Sequence, residues 1–107
     1  MPVEVTSLEF QHVVLNAEQP VLVNFHAPWC QPCKAIAKDV DAVAERYRGK
    51  AVVAKVDIAV AGNEDLANRY QVRSIPCLMM FRGGKVQSVL HGVQPVEDIA
   101  AAIDDVL

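Results

Sequence analysis

The chain is 107 residues long, enough for one hydrophobic core and too short for two ordinary domains, so residues 1–107 are expected to form a single domain. Hydrophobic residues make up 52% and charged residues 21%, a balance that excludes an intrinsically disordered segment. The formal net charge is −3 and the 10 basic residues do not cluster, so neither nucleic acid nor an acidic membrane surface is an expected partner.

Met1-Pro2-Val3-Glu4-Val5-Thr6 has neither the basic nor the apolar region of a leader, and no apolar run nears the roughly 18 residues of a membrane span. A cytoplasmic protein is the expectation. Val3 to Val5 suits a short strand. Thr6 and Glu9 have capping-box spacing ahead of Phe10, Val13 and Val14, which predicts a first helix over 7–16. After Pro20, the β-branched run Val21-Leu22-Val23-Asn24-Phe25-His26 reads as a central strand buried on both faces. From Gln31 to about Arg48, the residues Ile36, Val40, Val43, Ala44 and Tyr47 share one helical face, and Gly49 stands where a C′ glycine would end the helix.

A second buried strand follows over 51–57 and a shorter helix over 64–70, after the turn signal Gly62-Asn63. Cys77 to Arg82 and Lys85 to Leu90 flank Gly83-Gly84, which suits the positive φ angles of an antiparallel hairpin turn. The segment 95–107 reads as a closing helix with Pro95 at its first position, Glu97 and Asp98 in the first turn, and Val96, Ile99, Ala100, Ile103 and Val106 on one stripe. The order β-α-β-α-β-α-β-β-α implies an α/β fold, a central mixed sheet covered by helices on both faces.

Three cysteines cannot all pair within one chain, which points to chemistry rather than a disulfide scaffold. Cys30 and Cys33, in Trp29-Cys30-Gln31-Pro32-Cys33-Lys34, lie where an apolar strand ends and a long helix begins. Free N–H groups and the dipole at a helix N-terminus favour an anion and so enrich a thiolate, which makes Cys30 the expected nucleophile. Cys33, one turn on, is placed to attack a mixed disulfide as the resolving thiol. Pro32 loses no intrahelical hydrogen bond in the first turn and stiffens the loop. A zinc half-site is the competing reading, but no second CxxC is present and only Cys77, His12, His26 and His91 remain to complete it, so no metal is expected. Two inert buried thiols would leave the flanking Trp29 and Lys34 unexplained.

With these residues in view, the chain resembles the thioredoxin family along nearly its whole length. The segments that carry the likeness are Val21 to Phe25 leading into Trp29 to Lys34, then Ser74-Ile75-Pro76, Phe81-Arg82-Gly83-Gly84-Lys85, and Gly92. The resemblance implies a thioredoxin fold and a reversible Cys30–Cys33 disulfide with no bound cofactor. It also implies a cis Pro76 facing the pair, and a shallow groove of Trp29, Ile75, Pro76, Gly92 and Val93 for extended substrate segments. Protein disulfides as substrates, a thioredoxin-reductase-type electron donor and a monomeric state follow from it too.

Several positions depart from the family pattern. Asn24 stands where a buried Asp usually helps move the resolving thiol's proton; Asn cannot exchange a proton near neutral pH, so slower resolution is expected unless Asn24 serves only local hydrogen bonding. Lys55, opposite Asn24 by the likeness, is either its charge partner or a snorkelling surface lysine. Gln31 replaces Gly between the cysteines and can tune the potential in either direction. Cys77, in place of Thr, is either an ordinary buried thiol or a third redox-active sulfur. His26 replaces an aromatic Trp and, like His91, is either a titrating neighbour of the thiolate or a packing residue. Lys38 replaces a helix proline, so the long helix should run straight. The leading function is a protein-disulfide reductase; an oxidant or isomerase, or a groove-binding module with incidental redox activity, are the alternatives.

Overall fold

Alternating side-chain direction along the strands sets the layers. The computed structural model describes residues 1–107. Its strands are β1 (Val3–Glu4), β2 (Val21–His26), β3 (Val52–Asp57), β4 (Cys77–Arg82) and β5 (Lys85–His91), joined in one sheet of order β1-β3-β2-β4-β5. β1 and β2 run parallel to β3, whereas β4 is antiparallel to β2 and to β5. β2 is therefore central, and Val21 through Phe25 are all buried, which is why its sequence is apolar on both faces.

The helices are α1 (Gln31–Arg46), α2 (Asn63–Arg69) and α3 (Val96–Asp104). Leu22, Val53, Leu78 and Met80 point to one face of the sheet and pack on Ile36, Val40 and Val43 of α1 and Ile99 and Ile103 of α3. Their alternates Val21, Val23, Phe25, Ala54, Val56, Met79 and Phe81 pack on Phe10, Val14 and Leu66 on the other face. Tyr47, just past the end of α1, donates its hydroxyl to Asp104 Oδ1 at 2.6 Å and so ties α1 to α3.

The element order matches the sequence reading, with local corrections. Residues 7–16 form a turn followed by one π-helical turn, Gln11–Leu15, closed by the Asn16 N–H on Gln11 O at 2.9 Å. Thr6 and Glu9 do pair, the Thr6 N–H reaching Glu9 Oε1 at 3.4 Å, but one wider turn satisfies the spacing of Phe10 and Val14 as well as an α-helix would. α1 ends at Arg46 because Tyr47 leaves the helical basin (φ −103°, ψ 12°), and Gly49 (φ +85°) falls inside the turn beyond. Pro95 is the N-cap rather than the first helical residue: its fixed φ of −60° suits either place, and its carbonyl accepts the Asp98 and Ile99 N–H groups at 3.0 and 3.3 Å. Gly83 and Gly84 both take positive φ in the β4–β5 turn, and a Cβ on Gly84 would stand 3.1 Å from Leu15 O.

Candidate active site

The junction between β2 and α1 places the sulfur pair. Cys30 is the N-cap of α1, with extended backbone angles (φ −89°, ψ 108°), and its side chain accepts the Cys33 N–H at 3.2 Å. The two sulfurs are bonded to each other, with the Cα atoms 5.3 Å apart. Pro32, in the first turn, has no N–H to leave unpaired. Both cysteines are nearly enclosed, at 5% and 6% exposure, and pack with Ala27, Ile58 and Ile75. The helix N-terminus thus presents an N–H without an intrahelical partner and a positive dipole end to a sulfur held out of bulk water.

A second loop completes the surroundings. Cys30 Sγ lies 3.7 Å from Ile75 O, and the Ile75–Pro76 peptide is cis. The Gly92 N–H donates to Pro76 O at 2.9 Å, which fixes the Gly92-Val93 segment against the same loop. Trp29 and Val93 remain 67% and 57% exposed, an unusual state for large apolar side chains at a reactive centre. Gln31, Pro32 and Lys34 are exposed on the first turn of α1.

The thioredoxin family matches residues 1–105. The chain belongs to the thioredoxin family. It is 45% identical over 102 residues to thioredoxin C-2 of Corynebacterium nephridii, covering 95% of this chain and 93% of that protein. It is 43% identical to the thioredoxin of Pseudomonas aeruginosa over 102 residues (95% and 93%), and 40% identical to thioredoxin 1 of a Nostoc species over 101 (94% and 92%). As in thioredoxins generally, the redox group is the disulfide itself, Cys30–Cys33, and the activity is protein-disulfide reduction.

Behind the pair lies a pocket lined in part by polar side chains. Asn24 is buried, sits opposite Lys55 in the β2–β3 register, and its Oδ1 has no hydrogen-bond partner in the protein. Lys55 is half-buried, with Nζ 3.6 Å from Glu4 Oε1. His26 Nε2 is 3.9 Å from the same oxygen, beyond hydrogen-bond reach, and is likewise buried without a partner. Burial first, and then the Lys55 charge, hold the His26 imidazole below its ordinary pKa of 6.5 against the opposite pull of Glu4 and Asp57. Asn24, His26, Cys33, Lys34, Asp41 and Lys55 share a cavity of about 170 Å³.

Other candidates lie apart. Cys77 pairs with Phe25 in register and is enclosed in the core on the α2 side of the sheet, where burial pushes its thiol pKa up. His91 and His12 are exposed, and no three His, Cys, Asp or Glu side chains gather as metal ligands. Sequence reasoning missed Ala27, Ile58 and Asp41. Ile58 follows the carboxyl end of parallel strand β3, the edge where open α/β sheets build sites, and that rule would have found it.

Proposed function

We propose that residues 1–107 act as one domain and one monomer, reducing protein disulfides in a reducing compartment such as the cytoplasm. Cys30 is the nucleophile: its thiolate attacks one substrate sulfur, forming a mixed disulfide and releasing the other substrate sulfur as a thiolate. Cys33 then attacks Cys30 Sγ; the Cys30–Cys33 bond forms, the bond to substrate breaks, and the second thiolate leaves. Two electrons pass to the substrate, and a thioredoxin-reductase-type donor returns them. The observation that carries this reading is the Cys33 N–H on Cys30 Sγ at 3.2 Å, a donor already aimed where thiolate charge develops. Trp29, Ile75, Pro76, Gly92 and Val93 form the proposed groove, in which Trp29 and Val93 offer exposed apolar side chains to an extended chain and the Ile75 backbone lies beside the reacting sulfur. Lys34 is the neighbouring cation on the first turn.

The test is the reduction potential of the pair, measured by equilibration in thiol–disulfide buffers and alkylation of free thiols. On the common scale the reducing end lies at about −270 mV, a value known for thioredoxin itself, and the oxidising end at about −120 mV. A value near the first supports a reductase and leaves Gln31 as fine tuning. A value near the second turns the assignment to oxidant or isomerase, and the lack of any defined couple would leave only a groove-binding module.

A further inference from the structure

We propose that His26, acting through water in the cavity behind the cysteine pair, takes up the proton that Cys33 gives off when it resolves the mixed disulfide. The inference rests on the assignment of Cys33 as the resolving thiol. Cys33 and His26 line the same cavity of about 170 Å³, which has polar side chains in its lining and is large enough for several waters. Two polar atoms at this place, Asn24 Oδ1 and His26 Nε2, are buried with no protein hydrogen-bond partner, while the His26 side chain as a whole keeps 15% of its surface exposed, so a water can reach the ring.

The neighbouring groups narrow the choice to His26. The β1 group facing it is Glu4, β3 contributes Lys55 and Asp57, and α1 contributes Cys33, Lys34 and Asp41; Leu78 and Met80 of β4 add no charge on this face. Lysines are already protonated at neutral pH, carboxylates are weak bases there, and the Asn24 amide takes up no proton. An imidazole is the one group whose basicity matches the operating pH, and burial keeps it neutral and able to accept. The step balances: the Cys33 S–H proton passes through water to the His26 imidazole, the Cys33–Cys30 bond forms, the Cys30–substrate bond breaks, and the substrate sulfur leaves with the electron pair. His26 then returns the proton to solvent through the exposed rim at Lys34 and Asp41.

Oxidised glutathione is the probe. Rapid acid quenching and mass analysis separate formation of the Cys30 mixed disulfide from its resolution, each followed across pH 5 to 8. The expected wild-type resolution rate falls as pH drops below 6.5, and His26→Gln abolishes that inflection and slows the step on the order of 100-fold at pH 7. Formation of the mixed disulfide stays unchanged in the variant. Failure of the wild type to form any mixed disulfide would instead remove the reductase assignment itself. NMR titration of His26 in the unaltered chain gives a readout independent of the variant's folding, with different midpoints expected in the disulfide and dithiol states. An inflection retained in His26→Gln, or identical His26 midpoints in the two states, overturns the proposal.

Discussion

The Cys33 N–H lies 3.2 Å from Cys30 Sγ, so one sulfur is both the N-cap of α1 and the atom assigned to attack substrate. Structure and reactivity therefore separate on substitution. Cys30→Ser keeps an oxygen able to cap the helix, whereas Cys30→Ala leaves the Cys33 N–H without that partner. Both variants lack the disulfide and should lose disulfide exchange entirely. Denaturant unfolding of the two should differ by about 1 kcal/mol in favour of Ser, the usual worth of a cap. Equal stabilities would show that the contact does not cap the helix.

Asn63 ties three segments near the end of β3. Its Oδ1 accepts the Ser7 N–H at 2.8 Å, its Nδ2 donates to Asp57 O at 2.9 Å, and it is only 1% exposed. Asn63→Ala leaves two backbone groups without these partners, and a loss of about 2 kcal/mol is expected in equilibrium unfolding. Because Asp57 ends β3 and precedes Ile58, the loosened strand end should also raise amide exchange at Ile58, whose N–H donates to His26 O at 2.9 Å.

His26 gives stability a pH dependence of known sign. Its folded pKa lies below 6.5, so the unfolded chain binds the proton more readily. The contribution is complete above 6.5 and is lost as pH falls through the lowered folded value. Thermal unfolding from pH 7.5 downward should show the midpoint falling below pH 6.5, and His26→Gln should flatten that part of the curve.

Cys77 should behave as a buried thiol. It is 1% exposed on the far side of β4, and desolvation raises its pKa, which starves it of thiolate at neutral pH. Iodoacetamide added to the reduced protein should label Cys30 first, and Cys77 only after denaturation. Native labelling of Cys77 on the same timescale, or an oxidant-induced dimer lost in Cys77→Thr, would restore it as a third redox sulfur.

Period and spacing made most of this molecule legible. β2 and β4 are apolar on both faces, and the hairpin glycines and the CxxC at a strand–helix junction are local signals that survive folding unchanged. What escaped was set by contacts between distant segments. The spacing of Phe10 and Val14 cannot tell an α-helix from a wider turn, and Asn63 read only as a turn residue until its partners Ser7 and Asp57 were in place. The cavity behind Cys33 was invisible for the same reason, since α1 supplies Asp41, β2 supplies Asn24 and His26, and β3 supplies Lys55. The resemblance did pair Asn24 with Lys55, because strand register is inherited with the fold.

Asn24→Asp tests the chemistry and the stability of that cavity together. A carboxylate at a position only 3% exposed is desolvated, which raises its pKa, while Lys55 across the register pulls the other way. A raised folded pKa gives stability that is complete below the unfolded carboxylate value of about 3.9 and is lost as pH rises through the folded value. The variant should therefore unfold at lower denaturant than the wild type at pH 8 and approach it at acidic pH. It should also resolve the Cys30 mixed disulfide faster near pH 7, since a carboxylate in the same cavity as Cys33 can accept the proton that the amide cannot. Resolution rates indistinguishable from wild type across pH would mean that a carboxylate at this place adds nothing to the base already serving Cys33, and that Asn24 is a packing residue.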